Sequence, residues 1–164
     1  MTLVLGGARS GKSRHAERLV AAHEAPWIYI ATAEAFDDEM RERIAEHQAR
    51  REIGWRTVEA QVDLPDALIR HAALPVLVDC LTLWLTNLML GNHDIVAATD
   101  ALEAALDRRQ APVVLVSNEV GLGLVPDTPL GRAFRDEAGR LNQHMAAAAD
   151  RVLFMVAGLP MTVK

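Results

Sequence analysis

The residues Gly6-Gly7-Ala8-Arg9-Ser10-Gly11-Lys12-Ser13 set a glycine, four residues, then Gly-Lys-Ser directly behind the apolar run Thr2-Leu3-Val4-Leu5. The chemistry this spacing suits is the gripping of a phosphate chain. Glycines let the backbone curl so that successive N–H groups converge on one anion. A helix leaving from Ser13 adds the partial positive charge of its N-terminus, Lys12 adds a full charge, and the Ser13 hydroxyl can ligate Mg²⁺. A plain glycine turn between strand and helix would show the same residues without the same order.

Two further side chains carry chemistry by position. Asp79 ends the apolar run Val76-Leu77-Val78. Beside a phosphate loop such a carboxylate holds Mg²⁺ opposite Ser13; alone, it caps the helix that follows. His47 falls on one narrow helical arc with Met40 and Ile44, which turns it toward the body of the protein. Taken by itself, a histidine so placed is more often packed than catalytic. Arg43, Arg50 and Arg51 surround it, and three guanidiniums suit a phosphate visitor. Cationic neighbours also favour the neutral ring, the form that attacks phosphorus. His15, His23, His71, His93 and His144 show no metal-ligand spacing. Asn118-Glu119, followed by Gly121 and Gly123, is a polar pair before a flexible loop, fitted equally to a substrate role or a simple turn.

These residues need elements to hold them, and the pattern supplies an alternation. Strands are expected at Thr2–Leu5, Trp27–Thr32, Val76–Asp79, Val113–Asn118 and Val152–Ala157, with a short extended segment at Trp55–Glu59 and a last edge strand over Pro160–Lys164. Helices are expected from Ser13 to about His23, Asp37 to Arg51, from Asp63, over Leu81–Leu90, Asp94–Arg109 and Leu130–Ala149. Asp37 is a good N-cap, and Glu39–Arg43 and Glu46–Arg50 are favourable i,i+4 pairs. Strands alternating with helices predict an α/β fold of three layers, a mostly parallel sheet with helices on both faces. Ligands of such sheets lie beyond the carboxyl ends of the strands, where Gly6–Ser13, Thr32, Asp79 and Asn118-Glu119 all fall.

Length and charge narrow the function. At 164 residues the chain reads as one domain spanning residues 1–164. A net charge of −5 argues against a broad nucleic-acid surface. Cys80 is the only cysteine, which excludes an internal disulfide and suits a reducing cytoplasm. The longest apolar stretch, Leu81–Leu90, is about half of what a membrane span needs.

The run Gly6–Glu17 resembles that of the bifunctional adenosylcobinamide kinase / adenosylcobinamide-phosphate guanylyltransferases of cobalamin biosynthesis. So do Tyr29–Thr32, Asp37–Met40 with Arg43-Ile44, His47, Trp55-Arg56-Thr57 with Glu59, and Asn118–Gly121. The likeness continues through Val125-Pro126, Phe134–Asp136, Gly139-Arg140 and Asn142, over essentially the whole chain. It implies a RecA-like P-loop NTPase fold, a homotrimer with sites near subunit contacts, and a corrinoid substrate. It implies two reactions: a γ-phosphoryl transfer from ATP or GTP to adenosylcobinamide, then transfer of GMP from GTP through a guanylylated histidine. The matching histidine is His47; some members carry two adjacent histidines, whereas here the preceding residue is Glu46. The implied nucleotide positions are Gly6–Ser13 (Gly6, Gly7, Ala8, Arg9, Ser10, Gly11, Lys12, Ser13), Ala31, Thr32, Ala33, Gln48, Ala49, Arg50, Arg51, Glu59 and the neighbourhood of Asp79. Two other readings compete: a kinase alone with His47 inert, and a RecA-like regulatory ATPase.

Overall fold

The computed structural model describes residues 1–34 and 53–164. The expected helix over 37–51, with His47, Gln48, Ala49, Arg50 and Arg51, lies outside the described residues. Seven strands form one sheet in the order β3-β2-β4-β5-β1-β6-β7. They are β1 (Thr2–Gly6), β2 (Trp27–Ala31), β3 (Trp55–Glu59), β4 (Val76–Asp79), β5 (Val113–Asn118), β6 (Arg151–Val156) and β7 (Leu159–Thr162). All neighbours pair in parallel except β6 and β7, which form an antiparallel hairpin through Ala157-Gly158. The extended segment at Trp55 therefore joins the sheet as its outer strand, and the last strand runs Leu159–Thr162 rather than from Pro160.

The helices are α1 (Lys12–Ala21), α2 (Leu64–Arg70), α3 (Leu81–Leu90), α4 (Ile95–Asp107) and α5 (Pro129–Ala148). Two of these helices carry side-chain caps: the Asp94 carboxylate accepts from the Ala97 amide, and the Thr128 hydroxyl accepts from the Gly131 amide. Period-two alternation sorts the sheet's side chains between two faces. Leu3, Ile28, Ile30, Val76, Val78 and Leu115 pack against α2 to α5, around the fully buried Trp84, Leu85 and Leu102. Val4, Tyr29, Leu77, Val116 and Leu153 face the other way, toward Ala16 and Val20 of α1. This is an α/β fold, a mostly parallel sheet flanked by helices. Among the described residues no helix is long and apolar enough to cross a membrane.

β1 sits between β5 and β6, with Gly6 in register with Asn118 on one side and Met155 on the other. The loop after β1 thus emerges over the middle of the sheet, between the ends of β5 and β6.

Candidate phosphate-binding site

Residues 6–13 form a closed curl. Ser10 donates its amide to the Gly7 carbonyl at 3.3 Å, and His15 donates to Gly11 at 3.0 Å. Gly6 needs to be glycine because a Cβ would stand 2.6 Å from Ser10 Oγ and 3.1 Å from Met155. Gly11 is the N-cap of α1 at φ 89°, the left-handed region that side chains resist. The first turn of α1 contains no acidic residue, so nothing on the helix neutralises its positive end.

Other strand ends hold this curl from outside. The Glu119 amide donates to Gly6 O, and the Gly158 amide donates to Ser10 O, each at 3.1 Å. With the carbonyls of Gly6, Gly7, Ser10 and Gly11 all accepting bonds, the loop has amides to offer an anion. Gly158 escapes sequence reasoning. Its local signal is a two-residue hairpin turn with φ of 51° at Ala157 and 82° at Gly158, but nothing local says which loop that turn touches.

Lys12 donates from Nζ to the Gly7 carbonyl at 3.0 Å. Burial holds its ammonium below the usual lysine range, against the opposing influence of Cys80 and Asp79. A half-buried cation with incomplete compensation is the state that a phosphate relieves. Burial, with the Asp79 carboxylate adding to it, pushes the Cys80 thiol up to about 11, so the sulfur is a neutral packing group at neutral pH.

The ends of β2 and β4 are stitched together beside this lysine. Tyr29 donates its hydroxyl to Asp79 Oδ2 at 2.9 Å, which orients the carboxylate and leaves Oδ1 for another partner. Thr32, fully buried, donates to the Cys80 carbonyl at 2.7 Å and accepts from the Cys80 amide at 2.8 Å. Asn87 of α3 donates to the carbonyls of Thr32 and Gln61. Thr32 therefore spends its side chain on its neighbour, and it reaches a ligand only through the backbone it positions. Ala31 pairs with both Asp79 and Glu59, which brings the three strand ends level. Ala33 follows the end of β2, and Glu59 closes β3 on the outer side of the sheet.

β5 is tied in the same way. The Thr82 hydroxyl accepts from the Asn118 amide at 2.7 Å, and Asn142 of α5 donates to the Asn118 carbonyl at 3.1 Å. Among the described residues Ser10 Oγ and Asn118 Oδ1 are buried without a hydrogen-bond partner. Glu119 folds back on its own loop, accepting from the Gly121 amide at 2.6 Å. The Glu119 side chain thus braces a turn while its amide holds Gly6 O, and Asn118 lies level with Gly6 in the sheet.

Among the described residues no group of three His, Cys, Asp or Glu is placed to hold a metal. Mg²⁺ keeps waters and substrate oxygens and asks the protein for one or two oxygen ligands. Asp79 and Ser13 carry oxygens of that kind.

Comparison with known proteins gives a consistent picture. The family described as cobinamide kinase / cobinamide phosphate guanyltransferase matches residues 2–163. The bifunctional adenosylcobalamin biosynthesis protein CobP of Pseudomonas aeruginosa is 51% identical over 166 residues, covering 99% of this chain and 96% of that protein. The CobU proteins of Salmonella typhimurium and Escherichia coli, of the same description, are each 46% identical, covering 100% of this chain and 99% of theirs. A solved structure from Pyrococcus horikoshii OT3 aligns with a TM-score of 0.59 at 9% identity, over 100% of this chain and 85% of that one. At that identity the likeness concerns the fold alone.

Proposed function

The chain belongs to the cobinamide kinase / cobinamide phosphate guanyltransferase family, and from that premise we propose how its residues divide two transfers. The enzyme phosphorylates adenosylcobinamide and then joins GMP to the product, in the assembly of the cobalamin nucleotide loop. ATP or GTP enters as substrate. The amides of residues 7–13 and the Lys12 ammonium bind the phosphates, and the acceptor hydroxyl attacks the γ-phosphorus as the nucleoside diphosphate leaves. Ser13 and Asp79 would hold Mg²⁺, which neutralises phosphate charge when bound. Ala31, Thr32, Ala33 and Glu59 form the nucleotide's other wall, Thr32 by fixing the Asp79-Cys80 backbone.

In the second transfer the His47 imidazole attacks the α-phosphorus of GTP and pyrophosphate leaves. A phosphate oxygen of the first product then takes the GMP and frees the ring. Gln48, Ala49, Arg50 and Arg51 belong with this step, the two guanidiniums steadying the α-phosphate. Splitting the transfer replaces an encounter of two anions by two steps in a cationic site. The same family reading makes the sheet a RecA-like P-loop domain spanning residues 1–164 and the assembly a homotrimer.

The observation that carries the phosphoryl step is the half-buried Lys12 at the start of α1, its Nζ on the Gly7 carbonyl of the curl that follows β1. Incubation with α-labelled GTP tests the guanylyl step: wild type takes up an acid-labile, alkali-stable label, and His47→Ala takes up none while still phosphorylating. Lys12→Ala should lose phosphoryl transfer. Label persisting in His47→Ala, or mapped to another side chain, would refute the assignment.

A further inference from the structure

The loop between β5 and α5 is built at both ends and apolar in the middle. Its root is tied to the phosphate loop by the Glu119 amide on Gly6 O, and its first turn is closed by Glu119 Oε1 on the Gly121 amide. Its far end is held by Arg132, which donates to the carbonyls of Pro126 and Asp127 at 3.0 and 2.9 Å. Between these anchors Leu122, Leu124 and Val125 are 80%, 93% and 62% exposed. Three large apolar side chains held in water within four residues are not explained by the core, which none of them joins.

We propose that this loop is the platform on which the corrinoid acceptor docks, with Leu122, Leu124 and Val125 against the macrocycle. The inference rests on the phosphoryl-transfer reading above. The acceptor hydroxyl must meet a phosphate lying on residues 6–13, so the remainder of that large acceptor lies over the rim of the same site. The loop is joined to that rim by the Glu119–Gly6 bond. A corrin ring presents methyl-studded faces, which apolar side chains cover and polar ones do not. Charge agrees. Along the loop the carboxylates of Glu119 and Asp127 outweigh the one guanidinium, that of Arg132, which is spent on the Pro126 and Asp127 carbonyls, and this suits a cobalt(III) corrinoid with net positive charge.

The test is cobinamide phosphorylation by wild type, Leu122→Ser, Leu124→Ser and the double variant, with a conservative Leu124→Met. The double variant should raise KM for cobinamide about tenfold. KM for the nucleotide and the urea midpoint should stay unchanged, because these side chains are already exposed in the free protein. Leu124→Met should retain most of the affinity, and Val96→Ser, at an equally exposed position on α4 (70%), should change neither KM. Equilibrium dialysis of cobinamide, followed by its visible absorbance, repeats the comparison without turnover. Failure of wild type to phosphorylate would count against the functional reading, whereas loss of binding in the double variant would still support the platform. An unchanged cobinamide affinity overturns the proposal. If that result came with a changed sedimentation coefficient, the loop would be a contact with a second copy of the chain.

Discussion

Replacing Thr32 by Val removes one hydroxyl and preserves the shape of a side chain that is fully buried. Hydrophobicity alone predicts that the variant gains stability, since a methyl replaces an oxygen in the core. The hydrogen bonds predict the reverse. The Cys80 amide loses the acceptor it meets at 2.8 Å and is left buried without a partner. The Cys80 carbonyl loses a donor at 2.7 Å but keeps the Trp84 amide at 3.2 Å. An orphaned buried N–H costs about 1–3 kcal/mol, and a carbonyl that keeps one partner loses less. A net loss of about 2 kcal/mol follows, a drop of about 4–8 °C in midpoint for a domain of this size. Thr32→Ser keeps the hydroxyl and gives up one methyl, about 0.8 kcal/mol. The expected order by urea or thermal unfolding is wild type, then Ser, then Val. A Val variant as stable as wild type would refute the reasoning, because the stitch between β2 and β4 would then contribute nothing.

Two other outcomes are open to measurement. Burial, with Arg18 and Arg151 adding to it, holds the His15 imidazole below the usual histidine range. The folded state therefore binds fewer protons than the unfolded one, so the penalty is full below the folded pKa and gone above the unfolded value near 6.5. Stability should rise with pH across that window, and His15→Gln should flatten the rise in unfolding midpoints. Gly158→Ala places a Cβ where nothing stands within 4 Å, at a φ of 82°. Its cost is backbone strain alone, about 1–2 kcal/mol, and a loss of more than about 4 kcal/mol in urea titration would show that the turn carries a load the geometry does not contain.

The glycine turn over residues 6–13 was legible because its geometry is local: eight consecutive residues, each placed by its neighbours, with a strand before and a helix after. Among the described residues the alternation of strands and helices was legible for the same reason, and element ends moved by only a residue or two. Asp79 could be named from its place at the end of a buried run. The tie from Tyr29 to Asp79 could not, because β2 and β4 become neighbours only when the sheet assembles. Asn118 and Glu119 looked alike in the chain; the fold turns the Glu119 side chain onto the Gly121 amide, sets its own amide on Gly6 O and leaves Asn118 in register with Gly6. Arg132, exposed on α5, holds the carbonyls of Pro126 and Asp127, a contact set by how the loop folds back on the helix.

Local sequence determined which residues could grip a phosphate, because backbone curl, helix polarity and lysine charge are properties of one short segment. Tertiary structure alone decided what holds that segment still, since Gly158 and Glu119 reach it from distant parts of the chain, while Thr32 and Asn87 tie the neighbouring ends of β2 and β4. Hydrogen bonds between such distant residues depend on strand order and register, and those are set by the packing of the whole sheet.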